Sequence, residues 1–214
     1  MKNIFVGLLT VLFLCALSSL GFADGIFGPE QVCGVDVNKF PQKGEDPWKT
    51  TCIVKNPKNP FDPWVDGLAF IWVNATGDRV FQVLTDYRSW PKKICNVQRT
   101  RFIKNDPLTK TVEWKVSSTL GSIMYTNEYH LSPITEPKVV DFEYVGPGDL
   151  DDMVGQWAIF SFDDLSSPVL LRYIIKLNPK SAFLDLTKDY MDQNIQCLLS
   201  GIKTWAEEEA VVFE

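Results

Sequence analysis

The sequence predicts an α+β fold: a curved, seven-stranded antiparallel sheet wrapped around one long C-terminal helix, with two short helices after the first strand. Three observations predict it. Residues 97–177 carry six strand-like runs at near-regular spacing, each bounded by turn signals. Residues 187–209 are the only run long and regular enough for a long helix, and their apolar positions share one face. The strand-like runs alternate apolar with polar residues, so the sheet has one face to bury, and that helix is the only partner large enough to cover it.

Met1 and Lys2, an apolar run over residues 4–17 and then Gly21-Phe22-Ala23 have the three parts of a secretory signal peptide, with cleavage expected after Ala23. The apolar run falls short of the ~20 residues that span a bilayer, so no stable membrane span is expected. Leu14, not a small residue, precedes Cys15, which argues against a lipoprotein. The expected destination is secreted or periplasmic. A formal net charge of −6 with no basic cluster argues against nucleic acid as a partner. Cys33, Cys52, Cys95 and Cys197 remain after cleavage, and disulfides are the default in an oxidising compartment. Three pairings are open; the favoured one joins Cys33 to Cys52 as a local staple and Cys95 to Cys197 as a tie between the long helix and the sheet. The spacing fits no zinc pattern and His130 is the single histidine, so no metal or other cofactor is expected.

Residues 24–64 are dense in Gly, Pro, Asn and Lys (FPQKGEDPWKTT, VKNPKNPFDP) and lack a sustained period. They read as an extended arm outside the domain at residues 65–214. Cys33–Cys52 and the rings of Phe40, Trp48 and Phe61 would hold the arm, as a cover over a sheet edge or a pocket mouth, or as a plain surface extension. Residues 65–73 (VDGLAFIWV) form the first strand, with Leu68, Phe70 and Trp72 on one face. Thr76 caps a short helix that carries Val80, Phe81, Val83, Leu84 and Tyr87 at helical spacing. Asn74-Ala75-Thr76 is also formally a glycosylation sequon. Residues 88–91 break that helix, and residues 91–95 make one more turn.

Strands follow at 97–104, 110–120, 123–131, 139–145, 153–162 and 169–177, with Gly, Pro, Asn and Ser turns between them that make neighbours antiparallel hairpins. Val112, Trp114 and Val116 alternate with Glu113 and Lys115; Leu171, Tyr173, Ile175 and Leu177 alternate with Arg172 and Lys176. The sheet should therefore have one apolar and one polar face. The long helix should bury Met191, Ile195, Leu198, Leu199, Ile202, Trp205 and Ala206, with Thr187 capping its start and Glu207, Glu208 and Glu209 fraying its end. A third facet, Tyr190, Asn194, Cys197 and Gly201, faces either a cavity or a partly exposed flank.

Alternation assigns Trp114, Tyr125, Tyr129, Phe142, Tyr144, Trp157 and Tyr173 to the concave face, with Asn127 between two of them; Tyr190 and Asn194 look toward it from the helix. Large rings with a few hydroxyl and amide tips suit a pocket for a mostly apolar ligand; the other reading is that they fill a solid core. Catalytic signatures are absent. His130 has only Glu128 beside it, on the outer face, and Asp149, Asp151 and Asp152 lack the spacing of a calcium loop. No catalytic residue is assigned.

The stretch VNATGDRVFQVLTDYRSWPKKI, the antiparallel strands after it, the GQWAIFSF and LLRYIIKLNP strands and the terminal amphipathic helix resemble the START-like or helix-grip superfamily, nearest to its polyketide cyclase, coenzyme Q-binding and lipid-transport branch. The resemblance covers residues 65–209 and rests on Val80, Phe81, Leu84, Asp86, Trp90 and Pro91, a helix face and a turn. It implies a hydrophobic cavity between sheet and C-terminal helix. It also implies binding or transport of a lipid, isoprenoid quinone, sterol-like or polyketide ligand by a monomer, with residues 88–95 and 146–152 as a movable entrance and at most transient membrane contact. Two alternatives stand beside it: a cyclase or aromatase in which Tyr125, Asn127, Tyr129 or Arg99 orients the substrate, and a secreted protein-interaction domain with a filled core.

Overall fold

The sheet begins earlier in the chain than the sequence suggests. The computed structural model describes residues 31–43, 45, 47–54, 64–118, 121–162, 168–179 and 184–208; the expected leader and Phe61 lie outside them. A ribbon of β1 (Gln31–Val32) and β2 (Val35–Asp36) turns through Cys33 and Gly34, both at positive φ, 55° and 77°. β3 (Trp48–Val54) pairs antiparallel with β4 (Trp64–Val73). Then come α1 (Gly77–Thr85), α2 (Trp90–Lys93), β5 (Val97–Asn105), β6 (Thr109–Ser118), β7 (Gly121–Ser132), β8 (Lys138–Tyr144), β9 (Leu150–Phe160), β10 (Val169–Pro179) and α3 (Leu184–Glu208). The main sheet has the order β3-β4-β10-β9-β8-β7-β6-β5, so it has eight strands rather than seven. The eighth is supplied by the segment read as an arm: Thr50, Cys52 and Val54 pair with Leu68, Asp66 and Trp64.

Local chemistry sets the helices. Thr76 Oγ1 accepts from Arg79 N at 3.2 Å and so caps α1. Trp90 Nε1 donates to Val83 O at 3.1 Å, which fastens α2 back onto α1. α3 starts at Leu184, so Thr187 lies one turn inside it instead of capping it. The apolar face is the expected one: Met191, Ile195, Leu199, Ile202, Trp205 and Ala206 are buried and Leu198 is partly buried. Gly67 makes room for it, because a Cβ there would lie 3.0 Å from Ile195 Cδ1 and 3.1 Å from Met191 Cε. The helix end is held rather than frayed as far as Glu208. Glu207 Oε1 accepts from Asn74 N at 2.8 Å, Lys203 Nζ donates to Trp72 O at 2.8 Å, and Lys93 pairs with Glu208 at 3.6 Å.

The outer face of the sheet is not uniformly polar, which corrects the alternation argument at β4 and β10. Leu68 and Phe70 do share a face, but it looks away from α3, and with Leu170, Ile174 and Val32 they form a second buried cluster. Val35, Val37, Phe40 and Trp48 from the N-terminal segment cover it. Phe40 packs against Phe160 and Phe70 with ring centroids 4.7 and 6.0 Å apart. Full burial of each of these large side chains contributes about 1.5–3 kcal/mol, which is why the segment packs instead of trailing.

Asp66 is buried beneath this cover, with Lys176 Nζ 3.9 Å away. Burial raises its pKa above the ordinary 3.8, and Lys176 opposes that rise. The folded state therefore holds the Asp66 proton more tightly than the unfolded chain does, and this group's contribution to stability is lost as pH climbs through the folded pKa. Asp66→Asn is expected to raise the free energy of urea unfolding at pH 7 and to leave it unchanged at pH 3. A loss at pH 7 would mean that the Lys176 contact outweighs the cost of burial.

Candidate functional site

A cavity of about 440 Å³ lies between the concave face of β6–β10 and α3. Register builds its wall. Trp114 stands opposite Tyr125, Tyr129 opposite Phe142, and Trp157 opposite Tyr173, so rings from adjacent strands meet side by side along one face. Trp157 and Tyr173 stack with centroids 3.9 Å apart. The Phe142 ring lies across Gly155, where a Cβ would come within 2.0 Å of Phe142 Cζ and 2.6 Å of Ile174 O. That glycine is what allows a phenylalanine in the wall. Trp114, Tyr125, Asn127, Tyr129, Phe142, Trp157 and Tyr173 line the cavity from the sheet, and Tyr190 and Asn194 line it from α3. Tyr144 does not. It sits on the same face at the end of β8, opposite Asn127, and its hydroxyl lies over the Gly146 turn instead of on the cavity wall. The aromatic face is thus not a filled core.

Three further wall residues, Tyr87, Trp90 and Ile94, come from the α1–α2 segment. Helical spacing places Tyr87 with Val83 and Leu84 as ordinary core, and nothing local in the sequence separates a core ring from a cavity ring. Its centroid is 4.6 Å from that of Tyr129 and 5.7 Å from that of Trp114, and Thr100 Oγ1 donates to its carbonyl at 2.7 Å. Burial pushes the phenol pKa of Tyr87, Tyr129, Tyr173 and Tyr125 up, and neighbouring phenols add to the rise for the last three. These hydroxyls stay protonated, so the aromatic part of the wall carries no charge.

The mouth is polar. Asn96 and Asp149 are exposed there, and Ser122, Thr187 and Asn194 join them. Asn96 Nδ2 donates to Asn194 Oδ1 at 2.7 Å, and the Tyr190 hydroxyl donates to Ser117 O. Met124 N donates to Asp149 Oδ2 at 2.8 Å, and Asp149 N donates to Met124 O at 2.7 Å, which ties the loop before β9 to β7. Cys95 pairs with Cys197 across this rim, Cα to Cα 6.1 Å, and Cys33 pairs with Cys52, 5.6 Å. Gly201 allows the approach of α2, since a Cβ would lie 3.1 Å from Ile94 Cδ1.

Other candidates are held elsewhere. Ligand atoms of His130, Glu128 and Glu143 lie within 4.8 Å of one another, with His130 Nε2 3.4 Å from Glu128 Oε1. This group is on the outer face, where alternation places it. Arg99 pairs with Glu113 at 3.2 Å and is not on the cavity wall, so it orients nothing there. Asp151 and Asp152 do not line the cavity either.

No protein-family model and no curated protein sequence matches this chain. Solved structures do match. The Zhui aromatase/cyclase from Streptomyces sp. R1128 superposes with a TM-score of 0.62 at 15% identity, over 69% of this chain and 96% of that one. A STAR-related lipid transfer protein from Xanthomonas axonopodis gives 0.59 at 13%, over 73% and 98%. A START superfamily protein from Mycobacterium smegmatis gives 0.57 at 11%, over 67% and 98%. The chain has the helix-grip fold of START-like proteins.

Proposed function

We propose that this protein binds and carries one hydrophobic small molecule in the cavity between the sheet and α3. The observation that carries the reading is the unfilled, aromatic-walled space of about 440 Å³ itself, of the size and lining that small-molecule sites have. Trp114, Tyr125, Tyr129, Phe142, Trp157 and Tyr173 supply contact area, and Asn127, Tyr190 and Asn194 supply orientation. The loops carrying Trp90, Ile94, Asp149 and Leu150 form the entrance, and their movement admits the ligand.

Cyclase chemistry is the second reading, favoured by the phenol and amide groups on the wall and by the aromatase/cyclase among the similar folds. It needs a group that takes a proton near neutral pH within reach of the ligand. The buried phenols do not serve, since burial raises their pKa. Asp149 is the one carboxylate on the wall among the described residues, and it sits at the mouth, bonded to Met124 N. Carriage is therefore the better account. The disulfides and the expected leader support a secreted or periplasmic site of action, and a monomer suffices for it.

Native mass spectrometry of the protein purified from its own host, followed by denaturing extraction, tests the proposal. The expected result is one apolar molecule per chain. A clean apo mass that persists after incubation with lipid and quinone mixtures would overturn it.

A further inference from the structure

The outer face of the sheet carries a second cluster of side chains, away from the cavity. Glu128 and His130 lie two residues apart on β7 and so share a face; on β8, Glu143 stands directly opposite Glu128 and Asp141 opposite His130. Candidate ligand atoms of Glu128, His130 and Glu143 all lie within 4.8 Å of one another. Two carboxylates facing each other across a strand pair repel, and the pair costs stability unless a cation joins it. No lysine or arginine among the described residues does so. Glu143 makes no ion pair with them, and Lys104, whose ammonium feels Glu128, is held 2.9 Å from Asp106.

From this cluster we infer a site for one divalent transition-metal ion of the zinc type, held by His130 Nε2 and by one oxygen each from Glu128 and Glu143. Ligand atoms about 2.0–2.1 Å from a tetrahedral ion are about 3.4 Å from each other. His130 Nε2 stands 3.4 Å from Glu128 Oε1. A charge-assisted hydrogen bond between them would close to ~2.7–2.9 Å. The other Glu128 oxygen is already engaged: Thr111 Oγ1 donates to Oε2 at 3.3 Å from a buried side chain, which leaves Oε1 for the ion. Asp141 is fixed by Gln156 Nε2 at 2.8 Å and stands across from His130, where a carboxylate orients a ligating imidazole.

The ligand set decides the class of ion. A single histidine excludes the patterns built from several Cys and His, but not a three-ligand site that completes its shell with water. An imidazole nitrogen among carboxylate oxygens suits zinc or copper, whereas calcium and magnesium take oxygen ligands and gain nothing from the ring. The side chains of His130 and Glu128 are 46% and 29% exposed, so the ion reaches them from solvent without any opening of the fold. Bound there, it joins β7 to β8 and offsets the repulsion between Glu128 and Glu143.

His130 is the only histidine in the chain, so its ring C–H resonances are assigned without mutation. The test titrates the full mature protein, untagged and stripped of metal, with zinc, magnesium and calcium chloride, and follows those resonances by NMR and the heat by calorimetry. The expected result is one zinc ion per chain, with the His130 resonances reaching their end point at that ratio and unmoved by magnesium or calcium. His130→Asn and Glu143→Gln each remove a ligand and are expected to weaken zinc binding by more than about tenfold; Thr111→Val keeps all three ligands, loosens Glu128 and is expected to cost about tenfold. Without zinc, Glu143→Gln should unfold at or above the parent's temperature, because it removes one of two facing charges, so its loss of binding does not come from misfolding. Zinc that binds without moving the His130 resonances, or that binds His130→Asn as well as the parent, sits elsewhere and overturns the site. Calcium binding as tight as zinc, or no zinc binding at all, overturns it too. The titration of the unmutated protein decides the matter even where a variant fails to fold, and neither result bears on the cavity.

Discussion

Replacing both Cys95 and Cys197 by serine is expected to lower stability by about 4 kcal/mol. The bond joins residues 102 apart, and cross-linking a loop of ~100 residues removes unfolded-state entropy worth up to about 4.7 kcal/mol. Cys33–Cys52 spans only 19 residues, so its loss should cost less, about 3 kcal/mol on the same reasoning. Serine is a fair replacement here. Cys95 is exposed and Cys197 partly so, which lets water reach either hydroxyl. For a chain of this size ~4 kcal/mol corresponds to roughly 8–16 °C in Tm. The bond also clamps the rim, since Cys95 lines the cavity and Asn96 beside it donates to Asn194 of α3. Faster ligand release should therefore accompany the loss of stability. Thermal unfolding of the double-serine variant checks the first effect and dissociation of a fluorescent apolar dye from the cavity checks the second. A Tm drop under ~2 °C would show that the packing of Ile94 against Gly201 holds α3 in place without the bond.

The fold was legible because its main signals are local. Period-2 runs between turn residues placed β5 to β10 within three residues of where they lie, and the helical period of Met191, Ile195, Leu199 and Ile202 identified the buried stripe of α3. The cavity wall followed from strand parity, which puts Trp114, Tyr125, Tyr129 and Trp157 on one side once the register is right. What escaped depends on contacts between distant segments. β3 is a strand because β4 offers it an edge and Leu68, Phe70 and Ile174 offer its neighbours a surface; Trp48 to Val54 carries no convincing pattern of its own. Tyr87 reaches the cavity because α1 packs on α3 and β9 and α2 on β5, which brings its ring against Trp114 of β6 and Tyr129 of β7, a placement that helix periodicity does not encode. Tyr144 misses the wall although its parity is right, because its ring turns over Gly146 at the end of β8.

Arg172→Ala is expected to cost about 3 kcal/mol and to release the N-terminal segment from the sheet. The side chain leaves β10 on the outer face and is buried there, so burial lowers its pKa, and hydrogen bonds from the guanidinium offset the cost of burying its charge. Nη1 donates to Val37 O at 3.2 Å and to Asn38 Oδ1 at 3.4 Å; Nη2 donates to Gln156 Oε1 at 2.9 Å. Gln156 Nε2 in turn donates to Asp141 Oδ1 at 2.8 Å, and the guanidinium lies 5.1 Å from the centre of the Phe160 ring. One side chain thus joins the arm, the sheet and the second apolar cluster. Truncation leaves three acceptors without their donor, and hydrogen bonds to charged groups contribute about 1.5–3 kcal/mol each before partial rescue by water. Arg172→Met separates packing from bonding, since it keeps most of the stem and none of the donors. It should lose nearly as much as alanine if the hydrogen bonds dominate. Urea unfolding gives the energies, and limited proteolysis should show cleavage near residues 37–47 in the variant before any in β4–β10. A variant within ~0.5 kcal/mol of the parent, with the segment still protected, would mean that Phe40, Val35 and the Cys33–Cys52 bond hold the cover alone and that Arg172 is tolerated there without stabilising it.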